Sequence, residues 1–558
     1  MRTSPLGRAR THDVTNQPAA IGAYNAFLID DALVAATERE GAGWARDSLA
    51  RLGDAVGDPA NVEHATLANR HGPELRRYDG AGRRVDIIDV HPSWHRIMSL
   101  AYGHGLGSDP WTAARPGAHV AKAAGSILFN ELEGGCMCPV AITYGGVPML
   151  RAQPDLSAIW EPLLVSRDYD GRDVPAGGKS FAFAAFAATE KQGGSDLRGN
   201  STYARSAGSA GGPGREYVLT GHKWFVSAAT ADIIYVSAQT EAGPSMFLVP
   251  KWLPDGSRNG ISFERLKTKM GNASNPSAEI ELEDAHGWLI GEEGRGIKVL
   301  LSFMQFSRFE VALMPVGEMR LTLNHALHHA RHRAAFGRTL ADQPLMRNVL
   351  ADLVVEYEAS VALAMRVGRS FDEAAADQDA RAFGRLAVAV AKYWHNKRCI
   401  NFVQEAMEVL GGGGYIEDSV VPRFYREAPV NNIWEGSGNV ICLDILRTLR
   451  SDARAIHATM VELELARGGD ARLDRAVEKL KRLVVEQQPE ESSARQVAGL
   501  LARTLQAALL VRHAPSFVAD AYCGSRLGED WSGLFGSLPP TTDFDALVAR
   551  GSSGFATC

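Results

Sequence analysis

The chain has 558 residues, 45% hydrophobic and 22% charged, which is enough apolar material for several cores and too much for a disordered chain; three or four domains are expected. Its 59 Lys and Arg stand against 65 Asp and Glu, a formal net charge of −6, so no global field draws it to nucleic acid or to an anionic membrane. Met1 to Gln17 is basic and polar without an apolar core, and no run of about 18 apolar residues stands out, so a soluble cytoplasmic protein is expected.

From about residue 20 to 180 the periodicity is helical in stretches, as in Asp31 to Gly53 and His119 to Glu133, broken by Gly and Pro clusters. Cys136 and Cys138 form a C-x-C pair that could offer two metal ligands, but no second Cys or His pair with zinc spacing accompanies them. Buried small thiols are the plainer reading, and with Cys399, Cys442, Cys523 and Cys558 they are too sparse for a disulfide framework. Reduced thiols are expected, and no metal.

Between about 181 and 290 the period shortens. Glu216 to Ser227, Ile233 to Gln239, Met246 to Pro250, Ile261 to Leu266 and Ser277 to Glu283 read as strands of an all-β domain. Thr220-Gly221, between two apolar runs, predicts a tight turn and a hairpin; Gly208 to Gly214 predicts an inserted flexible loop. Helical periodicity returns near 291, with Ile297 to Arg331, Met346 to Asp372, Ala380 to Leu410 and Gly438 to Thr448 separated by Gly337 to Pro344 and Gly411 to Gly414. A last section adds amphipathic helices such as Arg472 to Gln487, with Leu473, Val477, Leu480 and Val484 on one face, and then a loop over Gly524 to Pro540. The expected division is therefore 1–180, 181–290, 291–450 and 451–558.

Four segments carry candidate chemistry. Thr189-Glu190-Lys191-Gln192-Gly193-Gly194-Ser195-Asp196 offers backbone N–H groups and hydroxyls to a ligand, although alone it is a surface turn. Trp224-Phe225, followed by Ser227, could wall a flat cofactor, although alone it is a core strand. In the break between two long helices, the Arg333 guanidinium, with Phe336, Gly337 and Gln343, could reach a pyrophosphate of a neighbouring subunit; a lone Arg at a helix end is otherwise a cap. Glu408 to Tyr415, with its four glycines, and Ile433-Trp434-Glu435-Gly436-Ser437-Gly438-Asn439 complete the set.

In this order, across a helix, sheet, helix sequence, the four segments resemble the acyl-CoA dehydrogenase family of flavoproteins. Thr189-Glu190 and Gly194-Ser195-Asp196 match its middle-domain signature, with Lys191-Gln192 in place of Pro-Gly; Phe225 takes the usual Trp position; Arg333-x-x-Phe336-Gly337 matches without change; Glu408 replaces Gln. Trp434-Glu435-Gly436-Ser437 stands for Tyr-Glu-Gly-Thr, which places Glu435 at the catalytic base. The match spans about residues 90 to 450, and the excess at both ends, together with the particular strings, is similar to the AidB-type branch, associated with the adaptive response to alkylation.

The resemblance implies an α+β multidomain protein: an N-terminal helical domain, a β-barrel-like middle domain, a four-helix bundle and an extra C-terminal helical domain. It implies FAD held by Thr189, Gly194, Ser195, Trp224, Phe225, Ser227, Arg333, Phe336, Gln343, Gly411, Gly412, Ile433, Trp434, Gly436, Ser437 and Asn439. It further implies a homotetramer, an acyl-CoA or related small substrate, and an electron-transfer flavoprotein or oxygen as acceptor. Some family members place the base just before an Arg on the helix after the β-domain; here Ser307 precedes Arg308, and Glu310 reads as structural. Relatives that oxidise nitroalkanes use Asp, which Glu435 argues against.

Such a base suits an α-proton of an acyl thioester, provided an apolar cavity raises the carboxyl's pKa. A second role, from a different class, is that of a protective flavoprotein bound to double-stranded DNA with slow or vestigial oxidation. Residues 451–558 carry 12 Lys and Arg against 14 Asp and Glu, so phosphate contacts would need a local patch, with Lys479, Lys481 and Arg482 beside Arg472 and Arg475, or Arg447 and Arg450 gathered from several subunits. Interspersed Glu478, Glu486 and Glu490 favour a merely solvated helix.

Overall fold

The computed structural model describes residues 11–208, 210–487 and 489–552; Cys558, Ser209 of the Gly208 to Gly214 stretch and the first ten residues lie outside them. The first part contains α1 (Asp31–Thr37), α2 (Arg46–Val56), α3 (Pro59–Arg70), α4 (Pro92–Gly103), α5 (Asp109–Thr112), α6 (Ala118–Asn130), α7 (Gly134–Leu150) and α8 (Pro154–Leu164). The helix expected over Asp31 to Gly53 is broken, because Gly41 sits at φ 100° and turns the chain between α1 and α2. A hairpin absent from the sequence reading, β1 (Glu74–Tyr78) and β2 (Arg84–Asp89), interrupts the helices; Asp79 seeds its turn by accepting from the N–H groups of Ala81 and Arg83.

The middle section forms one seven-stranded sheet from β3 (Ala184–Ala187), β4 (Tyr203–Ser206), β5 (Glu216–Ser227), β6 (Ile233–Thr240), β7 (Gly243–Pro250), β8 (Ile261–Leu266) and β9 (Ser277–Ile290). Its order is β3-β5-β4-β6-β7-β9-β8, and additional pairings β3 with β6 and β5 with β9 curl it into a barrel-like form. The expected hairpin at Thr220-Gly221 is not there. β5 runs straight through, and its register against β9 slips between Leu219 and Gly221. Gly221, at φ 150°, marks a bulge where a Cβ would come within 2.6 Å of the Thr202 Cα, so close backbone approach and not chain reversal explains the glycine.

The third section is a bundle of α9 (Gly296–His332), α10 (Pro344–Glu373), α11 (Gln378–Val409) and α14 (Gly438–Ser451), with the short α12 (Gly412–Tyr415) and α13 (Val421–Glu427) between the last two. By length and composition α9 is the one helix among the described residues able to cross a membrane, and 67% of its apolar window is buried among α6, α7, α10 and α11. Its place as the core helix accounts for that composition. His395 donates Nδ1–H to the Ala312 carbonyl and the Cys399 thiol approaches the Pro315 carbonyl, so α9 and α11 run side by side in the same direction.

The last section, α15 (Ala453–Glu464), α16 (Ala471–Lys481), α17 (Ala494–His513), α18 (Ser516–Arg526) and α19 (Phe544–Gly551), lies against α10, α11 and α14. Leu473, Val477, Leu480 and Val484 are buried on one face as expected, whereas α19 follows the predicted loop unannounced. Arg526, fully buried, donates to the Glu356 carboxylate at 2.8 Å and pairs with Asp352; Arg398 reaches the same Glu356 at 3.1 Å. A buried charge cluster of this kind holds only while every partner is present.

Candidate active site

Glu435 sits on the turn that leads into α14, in the left-handed region at φ 57°, followed by Gly436 at φ 102°. A non-glycine residue there is strained unless its surroundings hold it. Two buried cations do so. Arg308 of α9 donates Nε–H to the Glu435 carbonyl at 3.2 Å while its Nη1 binds Asp444 at 2.7 Å, and Lys392 of α11 donates to the Gly436 carbonyl at 2.5 Å. The side chain of Ser307, at the position of the alternative base, hydrogen-bonds the Glu435 carboxyl instead.

The electrostatics at this turn pull in opposite directions. Burial pushes the Glu435 carboxyl above its ordinary value, and Arg308, Lys392 and the Ser307 bond restrain the rise. Burial likewise pushes Lys392 down to about 7, against the pull of Glu435. Beside Glu435, Trp434 is partly buried and donates its indole N–H to Asn431 at 3.1 Å; Asn431 in turn binds the buried Glu318 at 2.8 Å. Ile433 is exposed, Ser437 begins α14 by accepting the Ile441 N–H, and the Asn439 amide oxygen accepts from Arg495.

The sheet brings its two expected segments together. The Trp224 N–H donates to the Thr189 carbonyl at 2.8 Å, and Phe186 pairs with Ser227. Glu190 and Lys223, both fully buried, pair at 2.6 Å, and Glu190 also accepts from Ser201, Thr202 and Gln192. The unusual Gln192 thus ties the loop down, and Gly194 is required because a Cβ would meet the Thr189 hydroxyl at 2.5 Å. Phe225 is exposed, and the Lys267 ammonium lies 3.2 Å from the centre of the Trp224 ring. Burial pushes the Cys138 thiol of α7 up to about 12, and its neighbours include Glu435 and Ser227, so α7 lies beside both the sheet and the Glu435 turn.

Arg333, Phe336, Gln343, Gly411 and Gly412 form a second group. Arg333 follows Arg308 by 25 residues on α9, about 37 Å of helix, and Gly411 follows Lys392 by 19 residues on the parallel α11, about 28 Å. Both therefore stand at the end remote from Glu435. There β10 (Ala334–Ala335) and β11 (Arg338–Thr339) form a two-residue hairpin whose turn, Phe336 at φ 52° and Gly337 at φ 84°, has the left-handed pair such turns need. Gln343 fastens it, donating to the Ala335 carbonyl and accepting from Arg338. Phe336 is 97% exposed, with Leu345, Tyr415 and Ile416 also open to solvent.

Residues 16–171 match the N-terminal domain of the adaptive response protein AidB, 185–285 the acyl-CoA dehydrogenase middle domain, and 294–450 the acyl-CoA dehydrogenase C-terminal domain. AidB of Escherichia coli (strain K12) is 41% identical over 516 residues, 92% of this chain and 94% of the relative. The chain belongs to the AidB branch of the acyl-CoA dehydrogenase family. The crystal structure of Caenorhabditis elegans ACDH-11 in complex with C11-CoA superposes with a TM-score of 0.85 at 26% identity, covering 96% of this chain and 97% of that one. An acyl-CoA dehydrogenase from Bacillus anthracis complexed with FAD shares the fold, with a TM-score of 0.64 at 19% identity over 82% and 83% of the two chains.

Reading the sequence did not single out Lys392 or Asn16, and it took Cys138 only as a buried thiol or half of a metal-ligand pair. Lys392 carried a signal, one cation closing the apolar run Leu386 to Ala391, and a charge on such a face needs a partner. Of the candidate phosphate ligands, Lys479 and Arg482 line an open cleft of about 880 Å³ between α16, α17 and α18, together with Arg475 and Arg503. Lys481 is held by Glu464 and Glu478, and Arg472 by Asp470 and Asp520, so the expected single basic face is divided. Arg447 is exposed near Asp444, and Arg450 donates to the Pro489 carbonyl; neither lines the cleft.

Proposed function

We propose that this protein is an FAD-dependent acyl-CoA dehydrogenase in which Glu435 removes the α-proton of an acyl thioester. The observation that carries this reading is the Glu435 turn: a carboxyl raised by burial, on a strained backbone pinned by Arg308 and Lys392. A carboxyl raised by burial is a stronger base than a solvated one, which suits it to take up a proton. The C11-CoA complex of ACDH-11 supports a long acyl chain as substrate.

The residues present suit FAD. The Thr189 and Ser195 hydroxyls have no partner among the described residues, Trp224 offers a half-buried aromatic face, and Gly411 and Gly412 leave open space where a Cβ would stand. Arg333 would hold a phosphate, and Ser227, Trp434, Gly436, Ser437 and Asn439 would border the ring system from the sheet and the α14 turn. When bound, FAD supplies the acceptor for the β-hydride. An electron-transfer flavoprotein or oxygen would serve as the partner that reoxidises the protein. The separation of Arg333 from Glu435 along α9 supports a cofactor site shared between subunits, and hence a homotetramer or a dimer within one.

Anaerobic mixing of the yellow protein with straight and branched acyl-CoAs tests the activity. Rapid bleaching by one chain type is expected; a flavin reducible by dithionite but by no acyl-CoA would refute it. A second reading is favoured by the cleft beside α16, where Arg475, Lys479 and Arg482 have no acidic partner among the described residues. Such cations suit the phosphates of double-stranded DNA, and binding that weakens steeply with salt and is lost in Lys479→Glu/Arg482→Glu is the result expected of a DNA-associated protective role.

A further inference from the structure

The N-terminal segment crosses the remote end of α9, and Asn16 touches the cofactor hairpin at three points. Its amide donates Nδ2–H to the Ala334 carbonyl at 2.8 Å, its Oδ1 accepts the Ala334 N–H at 2.8 Å, and its backbone carbonyl accepts from Arg333 Nη1 at 2.8 Å. These atoms come from positions more than 300 residues apart, so the contact is tertiary and not a local turn.

Each bond has a physical reason. In a two-residue hairpin Ala335 and Arg338 close the turn, which leaves the N–H and C=O of Ala334 on the outward edge. A carboxamide supplies one donor and one acceptor side by side and satisfies both. Asn16 lies at φ 56°, a left-handed conformation that Asn tolerates better than most residues. His328 donates Nε2–H to the Ala19 carbonyl and anchors the segment three residues on.

The consequence falls on Arg333. One of its five donors is fixed by Asn16, which orients the guanidinium plane and leaves the others free. Arg333 has no carboxylate partner among the described residues, and neither do Arg331 and Arg338 nearby. The acids at this end, Asp342 and Asp545, lie against Arg347 and Thr339 and leave Arg333 open to an anion from outside the chain.

We infer that Asn16 is a positioning residue of the FAD site, holding the Arg333 hairpin so that the guanidinium faces the cofactor's pyrophosphate. The inference rests on the reading of Arg333 as a cofactor contact, and it gives the N-terminal extension a role in flavin retention. Asn16→Gly keeps the left-handed backbone and removes the amide.

The test is FAD affinity of the flavin-stripped full-length protein, read by flavin fluorescence, for wild type, Asn16→Gly, Arg333→Ala and the double variant. Asn16→Gly is expected to raise the dissociation constant about tenfold, as loss of two hydrogen bonds would, with the melting temperature of the stripped protein unchanged. In the Arg333→Ala background it is expected to add nothing, because Asn16 acts through Arg333. Unchanged affinity in Asn16→Gly, or an effect that adds in full to that of Arg333→Ala, would overturn the inference while leaving Arg333 a cofactor contact. Unchanged affinity in Arg333→Ala would remove that reading and the inference together.

Discussion

The two ends of α9 are built on opposite principles. At the Arg308 end the buried charges are held within the chain: Arg308 binds Asp444 and the Glu435 carbonyl, and Lys392 binds the Gly436 carbonyl. At the Arg333 end Arg331, Arg333 and Arg338 have no carboxylate partner among the described residues, Phe336 is exposed to 97%, and the hairpin is held by side-chain amides from Asn16 and Gln343. The closed end is a finished piece of chemistry. On the proposed reading, a cofactor anion and a second chain would cover the open end.

The closed end should be the costlier to disturb. Arg308→Met removes a partner from the buried Asp444 and is expected to cost about 3 kcal/mol, measured by denaturant unfolding. Asp444, held below the usual carboxylate value by Arg385 and Arg308 despite its burial, contributes stability that is present above its unfolded pKa and lost as pH falls. The acid side of the stability curve should therefore be shallower in the variant. At the open end, Arg333→Ala is expected to weaken FAD binding at least about tenfold by loss of charge-assisted bonds while leaving unfolding nearly unchanged. An equal effect on stability would erase the distinction between the ends.

Lys392→Met sharpens the comparison. Removing the ammonium withdraws a charge that lowers the Glu435 pKa, so the acid limb of the rate of flavin reduction should move to higher pH. A limb that stays in place would make Lys392 a packing residue. The smallest stability effect is expected from Phe336→Asp, within about 0.5 kcal/mol for unfolding. Its assembly should nevertheless loosen, seen as a smaller mass at low concentration in sedimentation.

The helices of the bundle and most strands were legible because their periodicity reports burial directly, and Ile261 to Leu266 falls where it was read. Thr220-Gly221 misled because a glycine serving close approach to Thr202 looks, in one dimension, like a glycine serving a turn. The β1–β2 hairpin had its signal in Asp79-Gly80 and in the alternation of Arg84 to Asp89. Glu435 was reachable through its neighbours Trp434 and Gly436, whereas Lys392 and Asn16 act across 44 and more than 300 residues, and only the fold brings such partners together. The Arg472 to Arg482 cluster showed charge without showing which acids oppose it; Glu464 and Asp520 lie on other helices.

The most direct measurement compares wild type with Glu435→Gln, both loaded with FAD, in anaerobic stopped-flow against the acyl-CoA that bleaches the wild type fastest. The account predicts retained flavin and a loss of at least about 100-fold in the rate of reduction, the share an essential base carries. Reduction at the wild-type rate in Glu435→Gln would contradict it and place the base elsewhere.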